Sequence, residues 1–126
     1  MNITPKNSVH NTVIGAFSEE KSINPRLLSP LALAYIGDTI FDLYIRTYLL
    51  HHTSHTVHGL HIKATKMVNA KAQARAYEMI ENTLTEEEQA VFKRGRNAHN
   101  GTVPKSATIK EYKTATGLET LIGYLY

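Results

Sequence analysis

The chain contains no cysteine, which excludes disulfides, thiolate zinc sites and a cysteine nucleophile and points to a reducing, cytosolic setting. Glycine and proline are sparse, at 7 and 4 of 126 residues, and 42% of residues are hydrophobic, so neither a low-complexity linker nor a disordered tail fits. Strand signals are poor: there is no sustained period-two alternation and no Asn-Gly hairpin between β-branched runs. No internal repeat or linker interrupts the chain, whose length suits one domain with a single modest core. Neither charge sign dominates. Lys+Arg 14 against Asp+Glu 11 gives +3, which permits nucleic-acid binding without arguing strongly for it. The first residues, MNITPKNSVHNTVIGAF, lack the basic start and apolar core of a signal peptide. The window Leu31–Leu50 is apolar at 14 of 20 positions, yet it holds Asp38, Asp42 and Arg46, each costly in a bilayer. It is expected to be a buried helix of a soluble protein, with no membrane partner.

What the sequence does have is helix punctuation. Residues 1–24 are polar, with a short helix expected around Asn11–Glu20. Ser29-Pro30 places an N-cap before a first-turn proline and opens a long helix, about Leu31 to Leu50. His51–His58 reads as a polar connection, and Thr56 can cap a helix whose stripe is Leu60, Ala64, Met67 and Val68. A further helix, from about Lys71 to Asn82, either follows or continues it. Thr85 with Glu88, and Thr108 with Glu111, have capping-box spacing; between the two helices they start, Arg96–Ala107 is a loop. The fold class is all-α, with five to seven helices.

The carboxylates then stand out. The only two Asp of the chain, Asp38 and Asp42, lie with Arg46 at i, i+4, i+8, a polar stripe on an otherwise apolar helix. Asp42 and Arg46 read as an ordinary exposed pair. Asp38 follows Gly37, a mid-helix glycine costing about 1 kcal/mol against alanine. Close approach of another backbone or a ligand explains such a glycine best. In TATGLETLIGYLY the only acid is Glu119, with small or apolar residues one turn either way. Buried carboxylates need a partner, and a pair needs a cation or a shared proton. Joining Asp38 and Glu119 around a hard divalent ion satisfies both, although periodicity does not show that their helices touch.

The segment Leu33-Ala34-Tyr35-Ile36-Gly37-Asp38-Thr39-Ile40-Phe41 resembles the signature helix of the ribonuclease III family, Leu-Glu-Phe-Leu-Gly-Asp followed by apolar residues. Glu119-Thr120-Leu121-Ile122-Gly123-Tyr124-Leu125-Tyr126 is similar to its second motif, Glu-Ala-Leu-Ile-Gly-Ala-Ile-Tyr. Met67-Val68-Asn69 and Lys93-Arg94-Gly95-Arg96 fall between them in the family's order. The resemblance covers roughly Leu31 to Tyr126. ALAYIGD, KRGRNA, the run Gly101–Lys105 and LIGYL resemble the Mini-III subgroup, which has no double-stranded-RNA-binding domain. Ala34 and Thr116 stand where full-length family enzymes carry two further acids, a departure that subgroup shares.

The resemblance implies a ribonuclease III-type helical endonuclease domain. It implies a Mg²⁺-dependent, cytoplasmic, homodimeric endoribonuclease that cuts double-stranded RNA to 5′-phosphate and 3′-hydroxyl ends and matures ribosomal RNA precursor of the 23S type. Asp38 and Glu119 would hold the metal, with Asp38 as the catalytic residue. The alternative is an inactive ribonuclease III-like module that binds structured RNA. Lys93, Arg94, Arg96, Asn97, Thr102 and Lys105 read either as a solvated basic loop or as phosphate contacts to duplex RNA; Lys63, Lys66 and Lys71 extend that surface. His51, His52, His55, His58 and His61 suit zinc or nickel in type, but no acid lies nearby to orient the rings. A polar connection that gains charge below about pH 6.5 is the simpler reading.

Overall fold

The computed structural model describes residues 8–17, 23–53, 56–98 and 101–126. Among them are six α-helices and no strand: α1 Ser8–Phe17, α2 Pro30–His52, α3 Val57–Met67, α4 Ala70–Ile80, α5 Glu86–Arg96 and α6 Ile109–Leu125. Short 3-10 turns occupy Pro25–Leu27 and Glu81–Thr83. The expected punctuation forms as read. Ser29 accepts from the Ala32 N–H, Thr56 from that of Gly59, and both capping boxes are complete.

Three boundaries refine the expectation. The first helix is Ser8–Phe17, and residues 18–20 of the expected Asn11–Glu20 lie outside those described. The sequence leaves open whether the helix from about Lys71 follows or continues the one capped by Thr56; it follows, because Asn69 accepts from the Ala72 N–H at 2.9 Å and starts α4 afresh. The polar connection is also shorter than His51–His58. Helix α2 runs through His52, where the histidines sit at the negative end of its dipole, and His58 is already inside α3.

Helix α6 is the axis of the molecule, packed against α2, α5 and α4. Leu118 of α6 meets Phe41 of α2, Tyr77 of α4 and Phe92 of α5 in the core, and the Tyr77 and Phe92 rings stack with centroids 3.7 Å apart. The Thr120 hydroxyl lies between the carbonyls of Thr116 (2.8 Å) and Pro30 (3.1 Å), tying α6 to the start of α2. At the surface Arg26 pairs with Glu87, 2.7 Å away, and Tyr124 donates to the same carboxylate. No helix among the described residues is long and apolar enough to cross a membrane. Helix α2 is not buried all round as expected: Leu33, Ala34, Gly37, Ile40, Phe41 and Leu49 face the core, while Tyr35, Tyr44 and Tyr48 are exposed.

Candidate active site

The contact between α2 and α6 is set by glycine. A Cβ on Gly37 would fall on the backbone carbonyl of Glu119, and one on Gly123 would fall on that of Leu33. Backbone therefore lies directly on backbone at two points a turn apart on each helix. The expected reason for a glycine before Asp38 is thus met by a specific neighbour, the residue that carries the second carboxylate.

That crossing brings the side chains of Asp38 and Glu119 within hydrogen-bonding reach. Asp38 is exposed and Glu119 half-buried, so one faces solvent and the other stands behind it. Burial pushes the Glu119 carboxyl up to about 8, helped by its hydrogen bond to Asp38 and by repulsion from the Asp38 charge. Two carboxyls sharing a site at neutral pH will take either a proton or a cation between them. Oxygen donors, few in number, suit magnesium, which keeps much of its water. The pair fits such an ion.

The positions of the two missing acids are closed. Ala34 and Thr116 are both buried, and the Thr116 hydroxyl donates to the Tyr112 carbonyl at 3.0 Å. Neither offers a ligand. Among the described residues no three His, Asp or Glu side chains gather to hold a metal, so the acid site is a pair. One further group belongs to it. Gln73 of α4 is 4% exposed, and its amide favours the ionised form of Glu119. The sequence reading missed it; the available signal was an amide sharing the stripe of Ala74 and Tyr77.

Asp42 and Arg46 form the exposed pair anticipated, at 2.9 Å. The basic segment is divided. Lys93, Arg96 and Asn97 line a cleft of about 1070 Å³, together with Lys110 and Lys113, which sequence reasoning had not singled out. The Arg96 guanidinium stands over the Phe92 ring, 5.9 Å from its centroid. Arg94 points elsewhere, donating to the Leu28 carbonyl at 3.4 Å. Thr102 and Lys105 are exposed in the following loop, where Gly101 has φ +51°. Lys110 precedes Glu119 by about two and a half turns, so the cleft opens on the opposite face of α6 from the acids. His58 and His61 line an apolar pocket with Arg46, Leu49, Leu50 and Leu60, and His55 lies outside the described residues.

Residues 31–126 match the family model of the Ribonuclease III domain, three quarters of the chain. The chain belongs to the ribonuclease III family. It is an endoribonuclease by that membership. A protein named Mini-ribonuclease 3 from Thermoanaerobacter sp. (strain X514) is 46% identical over 99 residues, covering 79% of this chain and 70% of its own. One of the same name from Clostridium tetani is 48% identical over 100 residues, 79% of this chain and 66% of its own. A crystal structure of a Fusobacterium nucleatum protein superposes with a TM-score of 0.74 at 41% identity, covering 83% of this chain and 84% of that one. The Mini-III resemblance read from ALAYIGD, KRGRNA, the run Gly101–Lys105 and LIGYL therefore holds.

Proposed function

We propose that this ribonuclease cuts double-stranded RNA with the help of Mg²⁺ held by Asp38 and Glu119. The facing of these two carboxyls across the α2–α6 crossing is the observation that supports it. Exposed Asp38 would meet the substrate side, while Glu119 would hold the ion from a half-buried position behind it, in its ionised form. When bound, the ion would supply charge neutralisation at the phosphate and a more acidic water for in-line attack. With only two protein carboxylates to hold it, the ion would depend on water and RNA phosphate for its remaining ligands. Products with 5′-phosphate and 3′-hydroxyl ends follow from the family's chemistry.

The substrate we favour is a duplex in ribosomal RNA precursor, of the 23S type, processed in the bacterial cytoplasm. Cutting both strands asks for two sites related by a two-fold axis, hence a homodimer. Exposed Tyr35, Ile36, Leu43, Tyr44 and Tyr48 on α2 are the surface we assign to the partner copy. Phe41 of the same helix is buried in the core and takes no part in that surface. Lys93, Arg96, Asn97, Thr102 and Lys105 hold RNA backbone away from the cutting point and add affinity rather than chemistry; Arg94 is the weakest member of that set. Closure of the Ala34 and Thr116 positions favours a second reading, an inactive module that binds structured RNA. Incubating long duplex RNA with Mg²⁺ and with EDTA separates them. Cleavage only with metal is expected; tight binding without cleavage would favour the module.

A further inference from the structure

Gln73 is buried to 96%, and its Nε2 has no hydrogen-bond partner among the described residues. A buried amide left unpaired is unfavourable, and natural sequences keep few of them. An apolar residue of similar size would fill the same space without that penalty. The amide is not idle, however. It lies within reach of the Glu119 carboxyl, yet its Nε2 makes no hydrogen bond of ordinary geometry to it. Among the described residues, the group standing behind that carboxylate is thus a buried neutral donor. A lysine or arginine there would compete with the ion, whereas an amide orients the ligand without doing so.

We propose that Gln73 is the positioning residue of the carboxylate pair: its Nε2–H donates to the Glu119 carboxylate in the cation-loaded state and fixes that side chain toward Asp38. The unpaired donor of the free protein is then satisfied in the loaded one. This role rests on the reading of Asp38 and Glu119 as the metal pair.

Mn²⁺ binding to the free protein, followed by electron paramagnetic resonance without RNA, tests it. Gln73→Met nearly keeps the volume and removes the donor. Its Mn²⁺ affinity should fall roughly 10–100-fold, as for other groups that orient metal ligands. Its unfolding midpoint in EDTA should equal or exceed that of the parent, since an unpaired buried amide is gone. Gln73→Asn retains an amide on a shorter stem and should also lose affinity, by about tenfold, at the low end of that range. Either variant binding Mn²⁺ as tightly as the parent would overturn the proposal. A Gln73→Met protein that loses stability but keeps its affinity would mark a packing residue and overturn it too. Asp38→Asn and Glu119→Gln are the controls. If both lose Mn²⁺ and the Gln73 variants do not, only the role of Gln73 fails. If the controls, or the parent, give no metal-dependent signal to lose, the metal pair itself fails and Gln73 with it.

Discussion

The Glu119 carbonyl occupies the space in which any residue but glycine at position 37 would carry its Cβ. Helices α2 and α6 therefore touch at the residue before one carboxylate and at the residue that bears the other. Gly37→Ala gains about 1 kcal/mol of helix propensity. The clash is with backbone, which has no flexible end to move aside. A net loss of about 1–3 kcal/mol in urea unfolding is expected, with cleavage falling further than stability because the acids separate. An alanine variant as active as the parent would show that the crossing tolerates a shift without cost to the site.

Asp38→Asn and Glu119→Gln each remove a ligand charge at nearly constant volume. Cleavage of duplex RNA should fall by a few orders of magnitude in both, while circular dichroism shows an intact helical fold. Asp42→Asn breaks only the exposed pair with Arg46 and should cost less than about 1 kcal/mol, with activity close to that of the parent. Equal losses from Asp38 and Asp42 variants would contradict this division of roles.

Glu119 also gives a pH signature. Its carboxyl sits at about 8 in the folded chain, against the ordinary 4.5. Between these values the folded state holds a proton that the unfolded state has released, so stability falls as pH rises. The contribution is fully present below about pH 4.5 and gone above about pH 8. Urea unfolding in EDTA at pH 5, 7 and 9 should show this decline in the parent, and a flatter profile in Glu119→Gln. A parent profile as flat as that of the variant would mean that the carboxyl is less confined than its surroundings imply.

The exposed apolar residues of α2 lead to a prediction about assembly. Light scattering at micromolar concentration should report a particle of twice the chain mass. Tyr44→Asp together with Tyr48→Asp should shift it toward the single chain, because both rings are about half-exposed and neither belongs to the core. A parent that remains a single chain would leave that face without the partner assigned to it.

Much of the fold was legible because it depends on local chemistry. Ser29, Thr56, Thr85 and Thr108 cap the helices they were expected to cap, since an N-cap needs only its own first turn. Gly37 was legible for a different reason: an unexplained local cost demands a nearby cause. The facing of Asp38 and Glu119 was suggested by burial arguments, but only the packing of α2 on α6 produces it. Gln73 was legible only as an amide on the stripe of Ala74 and Tyr77, a weak signal. In AKAQARAYEMI it reads as one more polar residue on a mixed helix, and only the position of α6 makes its face an inside face. Phe41 and Tyr44 of α2 were not separable for a related reason: periodicity gives a helix its stripes without saying which meets the core, as Phe41 does, and which is left outside, as Tyr44 is.

The division of the basic segment gives the last prediction. Lys93 and Arg96 share the cleft beside α6, Lys105 stands exposed in the loop, and Arg94 is turned toward the Leu28 carbonyl. Arginine side chains can pair with phosphate through two N–H groups, and lysine adds a point charge. Replacing Lys93, Arg96 and Lys105 together by alanine should weaken duplex RNA binding and flatten its salt dependence. Each phosphate that the protein no longer neutralises lowers the slope of log K against log salt by about 0.7–0.9, a scale set on DNA. Arg94→Ala should change that slope by less than one phosphate's worth. Cleavage at saturating RNA should drop far less in the triple variant than in Asp38→Asn, because the cleft lies on the face of α6 opposite Glu119 and cannot take part in the chemistry. An unchanged salt slope in the triple variant would assign the RNA-binding surface elsewhere, first to Lys63, Lys66 and Lys71 along α3 and α4.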